Sequence, residues 1–105
     1  MVAQEKIGEA AKILSERARP YKIILFGSYG RGDPREDSNV DLMIVETDVQ
    51  DRVAEITRLN RAISPLRISV DLFVVSRDMF EYWVTTPGNV YFDATREGKV
   101  LYEAA

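Results

Sequence analysis

Residues 23–42 read IILFGSYGRGDPREDSNVDL: an apolar run halts at a glycine-rich turn, and acidic residues return further on, beside a second apolar run. IILF has the length and branched-aliphatic content of a buried strand, which places Gly27 and Ser28 where that strand ends and a short helix can start. Such a junction suits an anion. Unpaired backbone N–H groups point outward at a helix start, a glycine lets the main chain come close to an oxyanion, and the Ser28 hydroxyl adds a donor. The following VDLMIV reads as a second strand, and its alternation sets Asp41 on the face opposite Val40 and Leu42, aimed back towards the glycine turn.

The composition narrows the chemistry. At 105 residues and 46% hydrophobic content the chain is expected to form one domain over 1–105, large enough for a core but short for an enzyme that must enclose its substrate. A missing wall would have to come from a partner protein or from a second copy in a homo-oligomer. A net charge of -3 argues against tight nonspecific duplex binding, so a nucleic-acid modifier is the weaker reading. No cysteine means no disulfide and no thiolate nucleophile, and no histidine removes the commonest general base and the usual zinc ligand. Any metal must then be a hard cation held by oxygen, Mg2+ or Mn2+. No apolar stretch approaches membrane-spanning length and MVAQEKIGEAAK is amphipathic, so a cytoplasmic address is the default expectation.

In chain order, Ile7, Ala10, Ala11, Leu14 and Ala18 recur at helical spacing, and Arg19-Pro20 ends that helix. Strands are expected at 22–26 and 40–46, with one helical turn over 28–31 and a solvated loop through Arg35, Glu36 and Asp37. Thr47 or Asp48 is the expected cap of the next helix, whose apolar side carries Val53, Ile56, Leu59, Asn60 and Ile63 before Ser64-Pro65 stops it. RISVDLFVV gives a third strand, with Ile68, Val70, Leu72 and Val74 on one face and Asp71, Phe73 and Val75 on the other. Ser76 should cap RDMFEYWV, Thr86-Pro87 should open a helix ended by Gly98, and KVLYE suits an edge strand. The order predicts a small α+β (α/β) fold, a mixed sheet with helices packed on it.

Asp41 and Asp71 each interrupt an apolar strand. A carboxylate there has a partner, sits solvated on an edge, or marks a site. Near the Gly27-Ser28 turn, the two would form a cation site beside a phosphate site. A triphosphate is too charged to lie against bare carboxylates, whereas a divalent ion bridging the two neutralises both. GSYGRG is neither a dinucleotide-binding GxGxxG nor a Walker A sequence, since no Gly-Lys-Ser/Thr follows.

GSYGRGDPREDSNVDL resembles the signature of the minimal nucleotidyltransferases of the DNA polymerase β superfamily, the MNT type paired with HEPN-domain partners. That pattern is Gly-Ser, ten residues, then Asp-x-Asp, with a third Asp on a later strand. Gly27, Ser28, Arg31-Gly32 and Ser38 match its first part, Asp41 matches the second Asp, and VDLF supplies Asp71 as the third. Where the family has its first Asp, this chain has Asn39. The resemblance implies transfer of a nucleoside monophosphate, AMP from ATP as first choice over another NTP, to a hydroxyl of a HEPN-type toxin of which this chain is the antitoxin. It implies that Gly27 and Ser28 hold the triphosphate, and that Asp41, Asp71 and Asn39 hold the metal. An amide oxygen ligates Mg2+ more weakly than a carboxylate, so weakened nucleotide binding and a reduced rate are expected. The alternative is a catalytically impaired nucleotide- or partner-binding subunit of the same fold.

Two further groups have competing readings. Arg31, next to the turn, is a candidate nucleotide contact, although pairing with the acidic loop is the simpler role. Met79, Phe80, Tyr82, Trp83 and Val84 cannot all face one core; Phe80 and Val84 are expected inside, and Tyr82 and Trp83 are the candidates for a partner contact, which Tyr91 and Phe92 could extend.

Overall fold

Strands β1 (Lys22–Phe26), β2 (Val40–Glu46), β3 (Val70–Ser76) and β4 (Lys99–Glu103) form one mixed sheet in the spatial order β3-β2-β1-β4. The computed structural model describes all residues, 1–105. β1 pairs antiparallel with β2 and with β4, while β2 and β3 run parallel. The parallel pair needs a long return connection, which helix α3 (Arg52–Ile63) and a 3-10 turn over Ser64–Leu66 supply. The expected mixed sheet covered by helices is therefore what the chain forms, with β4 on an edge as KVLYE suggested.

Alternation along each strand sorts the side chains into two cores. On one face Ile23, Leu25, Val40, Leu42, Ile44, Leu72 and Val74 meet Ile7, Ala10 and Leu14 of α1 (Gln4–Ala18) and Leu59 and Ile63 of α3. On the other, Ile24, Phe26, Met43, Val45 and Val75 meet Phe80 of α4 (Arg77–Trp83) and Ala94 of α5 (Val90–Glu97). The first core gathers thirteen buried residues and the second seven. The second face is the less completely roofed, and the short helix α2 (Gly27–Arg31) meets the sheet at its end.

Three expected details are corrected. Asp51, not Thr47 or Asp48, caps α3, its carboxylate accepting from the Ala54 N–H; the chain needs the intervening residues to turn from the end of β2. Asn89, not Thr86-Pro87, caps α5, its side chain accepting from the Phe92 N–H while its amide donates to the Trp83 and Thr86 carbonyls. The inner side of α3 is narrower than expected: Ile56, Leu59 and Ile63 pack inward, but Val53 is 75% exposed and Asn60, one position round the helix from Leu59, is exposed. Ser76 does cap α4, accepting from the Met79 N–H.

Candidate functional site

The site begins with a register. Asp41 and Asp71 are direct partners across the parallel β2–β3 pair, one residue in from the start of each strand, and Phe26 lies opposite Asp41 on β1. Direct partners share a face, here the less covered one. Two carboxylates are thus fixed side by side at the end of the sheet where β1 passes into α2.

The Gly27 backbone lies against the Asp41 carboxylate. Its φ of 66° lies in the left-handed region, and a Cβ built there would collide with the Asp41 carboxylate, so the position needs glycine on both counts. Gly30, one turn on, has a second reason to lack a side chain: a Cβ there would stand 2.6 Å from the Leu25 carbonyl oxygen and 3.3 Å from the Gly98 Cα. Stripped of side chains on these sides, α2 is drawn against the sheet, its first turn beside Asp41.

The electrostatics follow from this crowding. Burial first, and then the negative charge of Asp71, pushes the Asp41 carboxyl above its usual range, while Arg31 pulls it down. Arg31 itself turns towards the acids around it, its Nε 3.5 Å from Asp33 and its Nη1 3.6 Å from Glu97 at the end of α5, rather than towards Glu36 and Asp37 of the acidic loop. Asn39 lies just before β2, and its Nδ2 donates to Asp71 Oδ2 at 3.2 Å. The side-chain amide therefore occupies one carboxylate lone pair. No three acidic side chains gather here or elsewhere into a metal-sized cluster. Two adjacent carboxylates are donors of the kind a single hard divalent cation takes, while the Asn39 amide presents its nitrogen to them.

The surroundings are open. A cleft of about 370 Å3 runs between α2 and α5, lined by Phe26, Gly27, Arg31, Gly88, Asn89, Val90, Asp93 and Glu97. The Phe26 ring that lines this cleft also meets the Phe73 ring edge-to-face across β2, centroids 5.1 Å apart. They form an apolar sill beside the carboxylates, Phe26 opposite Asp41 and Phe73 two residues after Asp71. Sequence reasoning placed Phe73 on the face of Asp71 but gave it no role; the signal was an aromatic two positions after the acid.

Gly27, Asn39, Asp41 and Asp71 thus come together, with Arg31 within electrostatic reach and Ser28 next in the chain to Gly27. Tyr82 and Trp83 do not join them. They stand on α4, which follows the opposite end of β3, with Tyr82 71% and Trp83 36% exposed and their rings in an edge contact at 4.9 Å. Phe80 is buried and Val84 half-buried, as expected, and Tyr91 packs on Phe80 rather than extending an outer surface.

Comparison with known proteins adds the family. The family described as polymerase beta, nucleotidyltransferase matches residues 8–105. The chain is 33% identical over 86 residues, 82% of each chain, to the Methanocaldococcus jannaschii protein named "Putative protein adenylyltransferase MJ0604". Among solved structures it is similar to a toxin–antitoxin complex with AMP-PNP, with a TM-score of 0.64, 23% identity, and coverage of 98% of this chain and 75% of that one. It is also similar to the tri-AMPylated Shewanella oneidensis HEPN toxin in complex with MNT antitoxin, at a TM-score of 0.61 and 21% identity over 96% of this chain and 72% of that one. At these identities the structural likeness establishes the shared fold.

Proposed function

The chain belongs to the polymerase beta nucleotidyltransferase family, and from that premise we propose that it transfers AMP from ATP, with Mg2+ or Mn2+, to a hydroxyl of a HEPN-type partner protein, as the antitoxin of that pair. The observation that carries the reading is the register of Asp41 with Asp71 directly beside a glycine whose missing Cβ makes room for the Asp41 carboxylate. The supporting likenesses are the adenylyltransferase name of the archaeal relative and the nucleotide and HEPN partner in the complexes of similar fold.

Each residue then has a task. Gly27, Ser28 and the first N–H groups of α2 receive the polyphosphate, with Arg31 adding positive charge at the side. Asp41, Asp71 and the Asn39 amide oxygen hold the divalent ion, which supplies charge neutralisation and polarises the phosphoryl oxygens when bound. The side-chain amide must turn its oxygen inward to do so, giving up the donation to Asp71. The acceptor oxygen attacks the α-phosphorus, the bond to the bridging oxygen breaks, and pyrophosphate leaves with that electron pair. With no histidine in the chain, the acceptor proton passes to solvent or to a carboxylate of the site.

A second reading has its own observation. The Asn39 Nδ2 contact to Asp71 satisfies that carboxylate internally, as expected of a subunit that has lost transfer and retains binding. Incubation with α-labelled ATP, Mg2+ and a HEPN-type protein encoded beside this chain separates the two, with Asn39→Asp run in parallel. Label on the partner with both proteins supports the enzyme, label with Asn39→Asp alone supports the binding subunit, and neither label nor nucleotide binding in either would end both.

A further inference from the structure

The sheet places the parts of the site in a line. Gly27 and α2 lie at the end of β1, Asp41 is on the neighbouring strand β2, and Asp71 is on β3, the outer strand on that side. Phosphoryl transfer requires the attacking and leaving oxygens to stand on opposite sides of the phosphorus. With the polyphosphate at Gly27, pyrophosphate departs towards α2 and the cleft between α2 and α5. The acceptor must then approach over β3.

On that approach stands Phe73. It is two residues beyond Asp71 on the same face, a rise of roughly 6.6 Å along the strand. It remains 39% exposed although large and apolar, and its ring stands edge-to-face with the buried Phe26. The second core, with Phe80 of α4, does not take in this ring, which stays exposed on β3 between Asp71 and α4. We propose that Phe73 is the acceptor-side wall of the site, packing against the planar or apolar part of the group that carries the attacking hydroxyl, and so positions the acceptor rather than the nucleotide. This rests on the transferase reading of Asp41 and Asp71.

The test separates acceptor from nucleotide. α,β-Methylene-ATP, which cannot release pyrophosphate, reports nucleotide affinity by calorimetry; N-acetyl-tyrosinamide serves as an aromatic acceptor probe, and water, through release of AMP from ATP, as an acceptor with nothing to pack. Phe73→Ala is expected to leave analogue affinity within about twofold, to lower AMP release far less than transfer to the probe, and to raise the KM of the aromatic probe roughly tenfold. Phe73→Trp should restore that KM. A tenfold loss of analogue affinity would make Phe73 a nucleobase seat, and an equal fall of probe transfer and AMP release without rescue by Phe73→Trp would make it structural; either overturns the proposal. If the wild-type chain neither transfers nor releases AMP, the transferase reading fails by itself. Saturation transfer from protein to the probe ring, with the analogue bound, then decides the placement: a signal lost in Phe73→Ala upholds it, and no signal in wild type, or one unchanged in the variant, rejects it.

Discussion

β2 carries a perturbed carboxyl at each end, and the two are perturbed in different company. Asp41, near its start, is pushed up by burial and by Asp71 across the register, with only Arg31 opposing. Glu46, its last residue, is 9% exposed, has an Oε2 without a hydrogen-bond partner, and is pushed up to about 8 by burial, then by the hydrogen bond and charge of Glu55. Yet Glu55 is itself held by Arg58, whose Nε and Nη2 donate to its two oxygens at 2.9 and 2.7 Å while Nη1 donates to the Arg17 carbonyl. The far end therefore closes its charge within the protein. The Asp41 end leaves two like charges side by side, Asp41 half-buried and Asp71 exposed, which is the arrangement that invites a cation from outside.

The largest expected effect breaks that contrast at the open end. Asp41→Asn should lower nucleotidyl transfer by at least about 100-fold, with a melting temperature unchanged or slightly higher because a like-charge contact is gone; transfer assays beside thermal melts check both. Gly27→Ala attacks the same place from the backbone. Its strained φ and the clash with the Asp41 carboxylate should cost about 1–3 kcal/mol of stability, read by denaturant melts, together with nucleotide affinity.

At the closed end the prediction concerns pH. A carboxyl whose folded pKa stands above its unfolded value binds its proton more tightly in the native state, so its stabilising contribution is whole below the unfolded value of 4.5 and is lost as pH rises towards about 8. Glu55, lowered chiefly by the hydrogen bonds from Arg58, works in the opposite sense and loses its contribution as pH falls. Glu46→Gln removes the proton-linked loss and should stabilise the protein by about 1 kcal/mol or more at pH 8 to 9 while changing little near pH 5. Melts across that range test it, and a flat wild-type profile would refute the contrast between the two ends. The smallest effect belongs to Arg31→Ala: its pairs with Asp33 and Glu97 are half-exposed, so stability should change by less than about 0.5 kcal/mol. The same variant should raise the Asp41 pKa further, seen by carboxyl NMR titration.

The two ends also differ in how far they could be read in advance. The Asp41 end was legible because its message is local: alternation in VDLMIV and in VDLFVV places each acid on a face, and the glycine turn comes directly after a strand. What alternation cannot give is the register between strands, so the pairing of Asp41 with Asp71 and the hydrogen bond from Asn39 to Asp71 had to come from coordinates. Phe73 was hidden for a related reason: an aromatic at an alternating strand position looks like core until the absence of a covering helix is seen. The closed end was not legible at all. Glu46 looks like the polar end of a strand, and its burial depends on α3 arriving over it with Glu55 and Arg58 one turn apart. The missed caps are of the same kind, since Thr47, Asp48 and Asp51 are all competent caps and only the length of the turn after β2 chooses among them.

The central claim is that the two acids beside Gly27 hold one divalent ion with a nucleotide. Electron paramagnetic resonance titration of Mn2+ in the presence of α,β-methylene-ATP tests it most directly. One ion bound per chain, lost in Asp41→Asn and bound more tightly in Asn39→Asp, is the predicted result; Mn2+ binding that is absent from the wild type, or indifferent to both substitutions, would contradict it.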